Sequence, residues 1–133
     1  MIRNLAGGVL VHCAAGNDRT GLVIALVLDA AGASHSAIVQ DYSHTEEALP
    51  ESFRHAVLAR LGGLIADFEE MATAVRLHLA SPPEVLDSTL QALAAAAFDG
   101  ETGAAAYLLR HCLDRDLLDR ARTLLHGSGL PAA

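Results

Sequence analysis

Gly8-Val9-Leu10-Val11 is apolar at every position, with no polar residue between. A short run of this kind predicts a buried strand, and its Val and Leu content fits a parallel interior strand over Gly7 to His12. A second apolar run, Leu22-Val23-Ile24-Ala25-Leu26-Val27-Leu28, predicts a helix from Arg19 to Ala31 that is apolar almost all round and therefore buried. Gly32 follows as its C-terminal stop.

Beyond Gly32 the pattern is helical and well punctuated. Ser34 is placed to cap a helix reaching about Tyr42. Pro50 stands at a tolerated first-turn position of a helix running to Leu61, which Gly62-Gly63 break. Leu64, Ile65, Phe68, Met71, Ala72, Val75 and Leu79 recur at helical spacing over Leu64 to Ala80. Ser81-Pro82-Pro83-Glu84 reads as a capping box that opens a helix to about Phe98. Asp99-Gly100 marks a turn, and two more helices follow, Glu101 to Cys112 and Asp114 to His126, closed by Gly127 and a frayed Pro-Ala-Ala tail. The expected class is α/β but predominantly helical, with one strand and about seven helices. A single strand cannot satisfy its own backbone. The sheet must then be completed from outside these 133 residues, and the open strand edge points to self-association.

The chemistry lies between the two apolar runs, in His12-Cys13-Ala14-Ala15-Gly16-Asn17-Asp18-Arg19-Thr20-Gly21. Strand, tight loop and helix succeed one another here. A helix N-terminus presents unpaired N–H groups and the positive end of a dipole, so a loop curled around it binds an oxyanion. The same field stabilises a thiolate. Arg19 can place two N–H bonds on two phosphate oxygens. Gly16 lets the backbone curl so that successive amides point inward. A His-Cys, five spacer residues, an Arg, then Ser or Thr and a Gly arise together by chance at roughly one position in several million.

This string resembles the phosphate loop of the cysteine-dependent protein tyrosine phosphatases. Among them it is most similar to a bacterial family whose loop reads H-C-x-A-G-K-D-R-T-G. Ile38-Val39-Gln40-Asp41-Tyr42-Ser43-His44-Thr45 resembles that family's I-x-x-D-Y-x-x-T segment, and Pro83-Glu84-Val85-Leu86 and Ala106-Tyr107-Leu108-Leu109 are similar to its helical C-terminal part. The resemblance implies a phosphatase acting through a cysteinyl-phosphate without metal or organic cofactor. Cys13 is then the nucleophile, Arg19 the phosphate clamp and Asp18 the general acid. Ala14, Ala15, Gly16, Asn17, Asp18, Arg19 and Thr20 bind the substrate phosphate, with Thr20 also donating to the sulfur and His12 ordering the loop from behind. A phosphotyrosine protein or peptide is the implied substrate, with phosphoserine/threonine and phosphoinositides as alternatives. Asn17 stands where the family has lysine, and losing that charge counts against a phosphoinositide or inositol-phosphate substrate.

In such phosphatases the loop comes late in the chain. Here it begins at residue 12, so the chain reads as the C-terminal, loop-containing part of a phosphatase domain that lacks the N-terminal sheet region. A non-catalytic fragment that only binds oxyanions is the competing reading.

Composition narrows the partners further. The net charge of −7 disfavours nucleic acid and anionic membrane surfaces, and no apolar run is long enough to span a bilayer. Met1-Ile2-Arg3-Asn4-Leu5 lacks a signal-peptide pattern. A working thiolate fits a cytoplasmic setting, with secretion as the alternative. Cys112 follows a histidine as Cys13 does, but Leu118 stands where the arginine would be, so Cys112 is expected in the core. Asp41, His44, Glu46 and Glu47 lack a metal-site spacing and read as a solvated helix end.

Overall fold

The computed structural model describes residues 2–5, 8–111 and 113–127. Among these residues the two strands are β1, Ile2–Leu5, and β2, Gly8–Val11. Seven helices follow: α1, Asp18–Ala30; α2, His35–Ala48; α3, Glu51–Gly62; α4, Phe68–Leu79; α5, Pro83–Ala95; α6, Gly103–His111; and α7, Arg115–Gly127. The predominantly helical class is as expected, and no helix among the described residues is long and apolar enough to cross a membrane. Cys112 and the Pro-Ala-Ala tail lie outside the described residues.

The strand leading to the loop differs from its expected form. β2 is not a parallel interior strand without a partner in the chain; it pairs antiparallel with β1, in a register that sets Ile2 opposite Val11 and Leu5 opposite Gly8. Nor is it buried: Val9 and Leu10 are 64% and 48% exposed. An antiparallel hairpin covers edges, not faces, so an apolar strand in one keeps its side chains open unless a helix packs on them.

α1 is the hub, though not buried all round as its composition predicts. It packs against α2 and α6, while Leu22 and Val27 stay exposed. Ala25 joins Ile38, Tyr42, Leu86 and Leu90 in one core cluster, where α1, α2 and α5 meet. Fully burying a side chain such as Leu86 or Ile38 contributes about 1.5–3 kcal/mol. Ala30, Ala104, Ala105 and Leu118 form a second cluster of α1, α6 and α7. Polar ties close both helix ends there. Asp29 Oδ2 accepts the Ala104 N–H at 2.7 Å, and Arg122 Nε donates to the Ala30 carbonyl at 2.8 Å. A carboxylate at an N-terminus and a cation at a C-terminus both complement the helix dipole. Gly32, at φ +92°, takes the left-handed turn past α1, as predicted.

Three helix boundaries move for local reasons. α2 runs six residues beyond Tyr42, to Ala48, because nothing breaks it before Pro50, which forces Leu49 into an extended conformation. α4 starts at Phe68 rather than Leu64, because Asp67 caps it by accepting the Glu70 N–H at 2.8 Å. α5 ends at Ala95 rather than at Phe98. The Ser81 capping box does not form: Pro82 is the capping residue, with no side-chain bond, and the Ser81 hydroxyl is used elsewhere.

Candidate active site

The loop from His12 to Asn17 joins β2 to α1, and its curl depends on Gly16 at φ +80°. A Cβ at Gly16 would meet nothing within 4 Å, so the glycine serves the backbone conformation rather than space. Gly21 serves space: a Cβ there would stand 2.6 Å from the Tyr42 ring, which lets α2 lie close against the first turn of α1.

Cys13 is half-buried at the centre of this curl, and its Sγ accepts the Gly16 N–H at 3.2 Å. Burial pushes the thiol up, but hydrogen bonding outweighs it. The Thr20 hydroxyl and the backbone N–H groups of Thr20, Gly16 and Ala15 favour the thiolate, bringing the pKa from 9.0 down to about 6. Thr20 Oγ1 is buried with no hydrogen-bond partner of ordinary geometry among the described residues, and its influence on the sulfur favours the thiolate. A thiol at this position is mostly ionised near neutral pH.

Arg19 is exposed, with no carboxylate partner among the described residues, and lines the same cavity as Cys13. That cavity has a volume of about 730 Å³ and also takes in Ala14, Ala15 and Asp18. Its far wall comes from α3, α4 and the connection between them: Phe53, Val57, Leu61, Leu64 and Leu77, with Arg60 and His78. Asp18, the first residue of α1, is exposed and also lines an adjoining cavity of about 360 Å³ with Tyr42 and Arg76. Its charge is close enough to Tyr42 to reinforce the upward push that burial gives that phenol.

Asn17 sits differently from the other loop residues. It is 1% exposed, and its side chain turns away from the cavity toward the α4–α5 linker. Only its backbone remains for an anion. His12 is exposed rather than packed behind the loop, with Nδ1 donating to the Cys13 carbonyl at 3.2 Å. Glu46 on α2 accepts the Ser81 N–H at 3.2 Å. Among the described residues no group of His, Cys, Asp or Glu is arranged to hold a metal ion.

The structure thus gathers Cys13, Ala14, Ala15, Asp18 and Arg19 on one cavity, with Gly16 and Thr20 behind the sulfur. The motif could not reveal the apolar wall from α3 and α4. The sequence signal for that wall was present as Phe53, Val57 and Leu61 on one helical stripe, but it reads equally as core.

The model of the tyrosine phosphatase family matches residues 1–126. The chain belongs to that family. Over 49 residues, 35% of this chain and 18% of the relative, it is 51% identical to the triple specificity protein phosphatase PtpB of Mycobacterium tuberculosis. Over 37 residues, 28% of this chain and 13% of the relative, it is 51% identical to a tyrosine-protein phosphatase of Nostoc commune. The matches thus span less than a fifth of either curated relative. No solved structure matches the chain significantly.

Proposed function

We propose that this chain carries the reactive centre of a cysteine-dependent phosphatase that hydrolyses aryl phosphomonoesters, with phosphotyrosine in a protein or peptide as the substrate. The carrying observation is the Cys13 sulfur held by loop amides, with a pKa of about 6, on a cavity shared with Arg19.

The phosphate oxygens dock against the loop amides and the Arg19 guanidinium, which stabilise the charge that grows in the transition state. The Cys13 thiolate attacks phosphorus in line; an S–P bond forms as the ester P–O bond breaks, and Asp18 gives its proton to the leaving oxygen. Asp18, now a carboxylate, takes a proton from water as that water attacks phosphorus. The S–P bond breaks, phosphate leaves, and the thiolate is restored. The apolar wall of Phe53, Val57, Leu61, Leu64 and Leu77 supports an aryl ester over a small alkyl one, because it offers a ring a surface to displace water from.

Leaving-group dependence tests the role of Asp18. Asp18→Asn is expected to slow an alkyl phosphate by about 10²–10³-fold and an activated nitrophenyl phosphate by less than about tenfold, because only the poor leaving group needs the proton. Equal slowing of both substrates would make Asp18 a structural residue and place the acid elsewhere. A second reading, an oxyanion binder without turnover, draws support from the exposed Val9 and Leu10 on the strand that carries Cys13. It requires no measurable turnover of nitrophenyl phosphate together with protection of Cys13 by vanadate.

A further inference from the structure

Asn17 and Ser81 are 64 residues apart, and both are almost completely buried, at 1% and 2% exposure. Their side chains meet: Ser81 Oγ donates to Asn17 Oδ1 at 2.6 Å. The other end of the same amide, Asn17 Nδ2, donates to the Ala80 carbonyl at 2.9 Å. One carboxamide therefore satisfies two consecutive residues of the α4–α5 linker, using its donor on one and its acceptor on the other. The linker is fixed on its second side as well, since the Ser81 N–H donates to Glu46 Oε2 at 3.2 Å and the Arg54 guanidinium donates to the Glu46 carbonyl. Asn17 is also bound into the start of α1, because its carbonyl accepts the Gly21 N–H at 2.6 Å.

We propose that Asn17 is a positioning residue: its carboxamide latches the phosphate loop to Ala80 and Ser81, so that the loop around Cys13 and the α4 wall of the cavity keep one relative position. Leu77 and His78, which line the cavity opposite the loop, lie within four residues of the latch. This amide links the two walls directly by hydrogen bonds. Asparagine supplies both the donor and the acceptor that the site uses. Aspartate has no donor for the Ala80 carbonyl, and its charge would be buried beside it. Lysine, which the resembled loop carries at this place, has no acceptor for the Ser81 hydroxyl and would bury an ammonium. The latch acts through the loop rather than on substrate, and its importance for turnover rests on the reading of Cys13 as nucleophile.

Hydrogen exchange of the loop amides, residues 14–20, decides the latch in the full chain. In Ser81→Ala and Asn17→Ala these amides are expected to exchange roughly tenfold faster than in the parent protein, while α7 stays protected and reports an intact fold. Ser81→Thr keeps the hydroxyl and is expected to exchange like the parent. Where Asn17→Ala fails to fold, Ser81→Ala decides alone, since it removes one oxygen and nothing larger. Unchanged loop exchange in Ser81→Ala overturns the latch. The pH dependence of Cys13 alkylation is read in the same variants, and it separates the two claims. A midpoint that rises in Ser81→Ala and is restored in Ser81→Thr ties the latch to the reactive centre. A parent midpoint at the free-thiol value removes the nucleophile reading and leaves the exchange result to judge the latch.

Discussion

Cys13→Ser is expected to abolish turnover of nitrophenyl phosphate, by a factor on the order of 10⁴ or more. The hydroxyl is nearly isosteric with the thiol, so the loop keeps its shape and still binds an oxyanion. What is lost is the nucleophile. The N–H groups of Thr20, Gly16 and Ala15 and the Thr20 hydroxyl bring the thiol down to about 6 from 9.0, which places it in the ionised form at neutral pH. The same contacts cannot ionise an alcohol, whose proton is held far more tightly than a thiol's. The substitution also has a stability signature whose sign is fixed. The folded-state pKa is depressed, so the thiolate's contribution to folding is fully present above pH 9.0 and is lost as pH falls through about 6. Thermal melts of Cys13→Ser and the parent should therefore converge below pH 6 and separate, with the parent more stable, as pH rises. Full activity in the serine variant would end the covalent mechanism.

The largest structural effect is expected at Gly103. A Cβ there would stand 2.5 Å from Ala94 N and from Leu93 C, and 2.9 Å from Ala94 Cα. These are backbone atoms of α5, which cannot rotate away as a side chain can. Gly103→Ala therefore forces α5 and α6 apart, at a cost of about 3 kcal/mol. Helix propensity works against this: Ala in place of Gly favours a helix by only about 0.5–1 kcal/mol, so the clash wins. Separating α5 from α6 also disturbs the Asp29–Ala104 bond and hence the packing of α6 on α1. A midpoint lower by roughly 10 °C in a thermal melt is the expected reading. An unchanged or raised midpoint would mean that the two helices have room to separate at no cost.

The parts of the molecule legible in the sequence are those whose causes are local. The loop chemistry is contained within ten residues, His12 to Gly21, so the position of Cys13 between a strand and a helix start could be read without tertiary information. α3, α6 and α7 were bounded to within two residues, because Pro50, Gly62-Gly63, Asp99-Gly100 and Asp114 punctuate them. β1 was missed because Ile2-Arg3-Asn4-Leu5 has two polar residues inside it and shows its strand character only through pairing with β2. The burial expected of β2 and of α1 failed for a related reason. An apolar run says that a face wants cover, and only the tertiary arrangement says whether this chain supplies it.

Asn17 shows the limit most clearly. As a member of the loop motif it reads as a phosphate ligand, and as a substitution for lysine it reads as a lost charge. In the fold its side chain is committed to Ala80 and Ser81, over 60 residues away, a contact with no signature in local spacing. Ser81 misled in the same way: Ser-x-x-Glu fits a capping box, but Pro82 is the capping residue, and the Ser81 hydroxyl and N–H go to Asn17 and Glu46 instead. The cavity wall from α3 and α4 was hidden by the same kind of ambiguity, since an apolar stripe on a helix does not say whether it faces a core or a substrate.

The rate at which iodoacetate alkylates Cys13, measured across pH with and without vanadate, tests the central claim most directly. The account predicts a midpoint of about 6 and strong protection by vanadate, because the groups that hold the thiolate are those that would hold a phosphoryl oxyanion. A midpoint near the ordinary thiol value of 9.0, or labelling indifferent to vanadate, would contradict it.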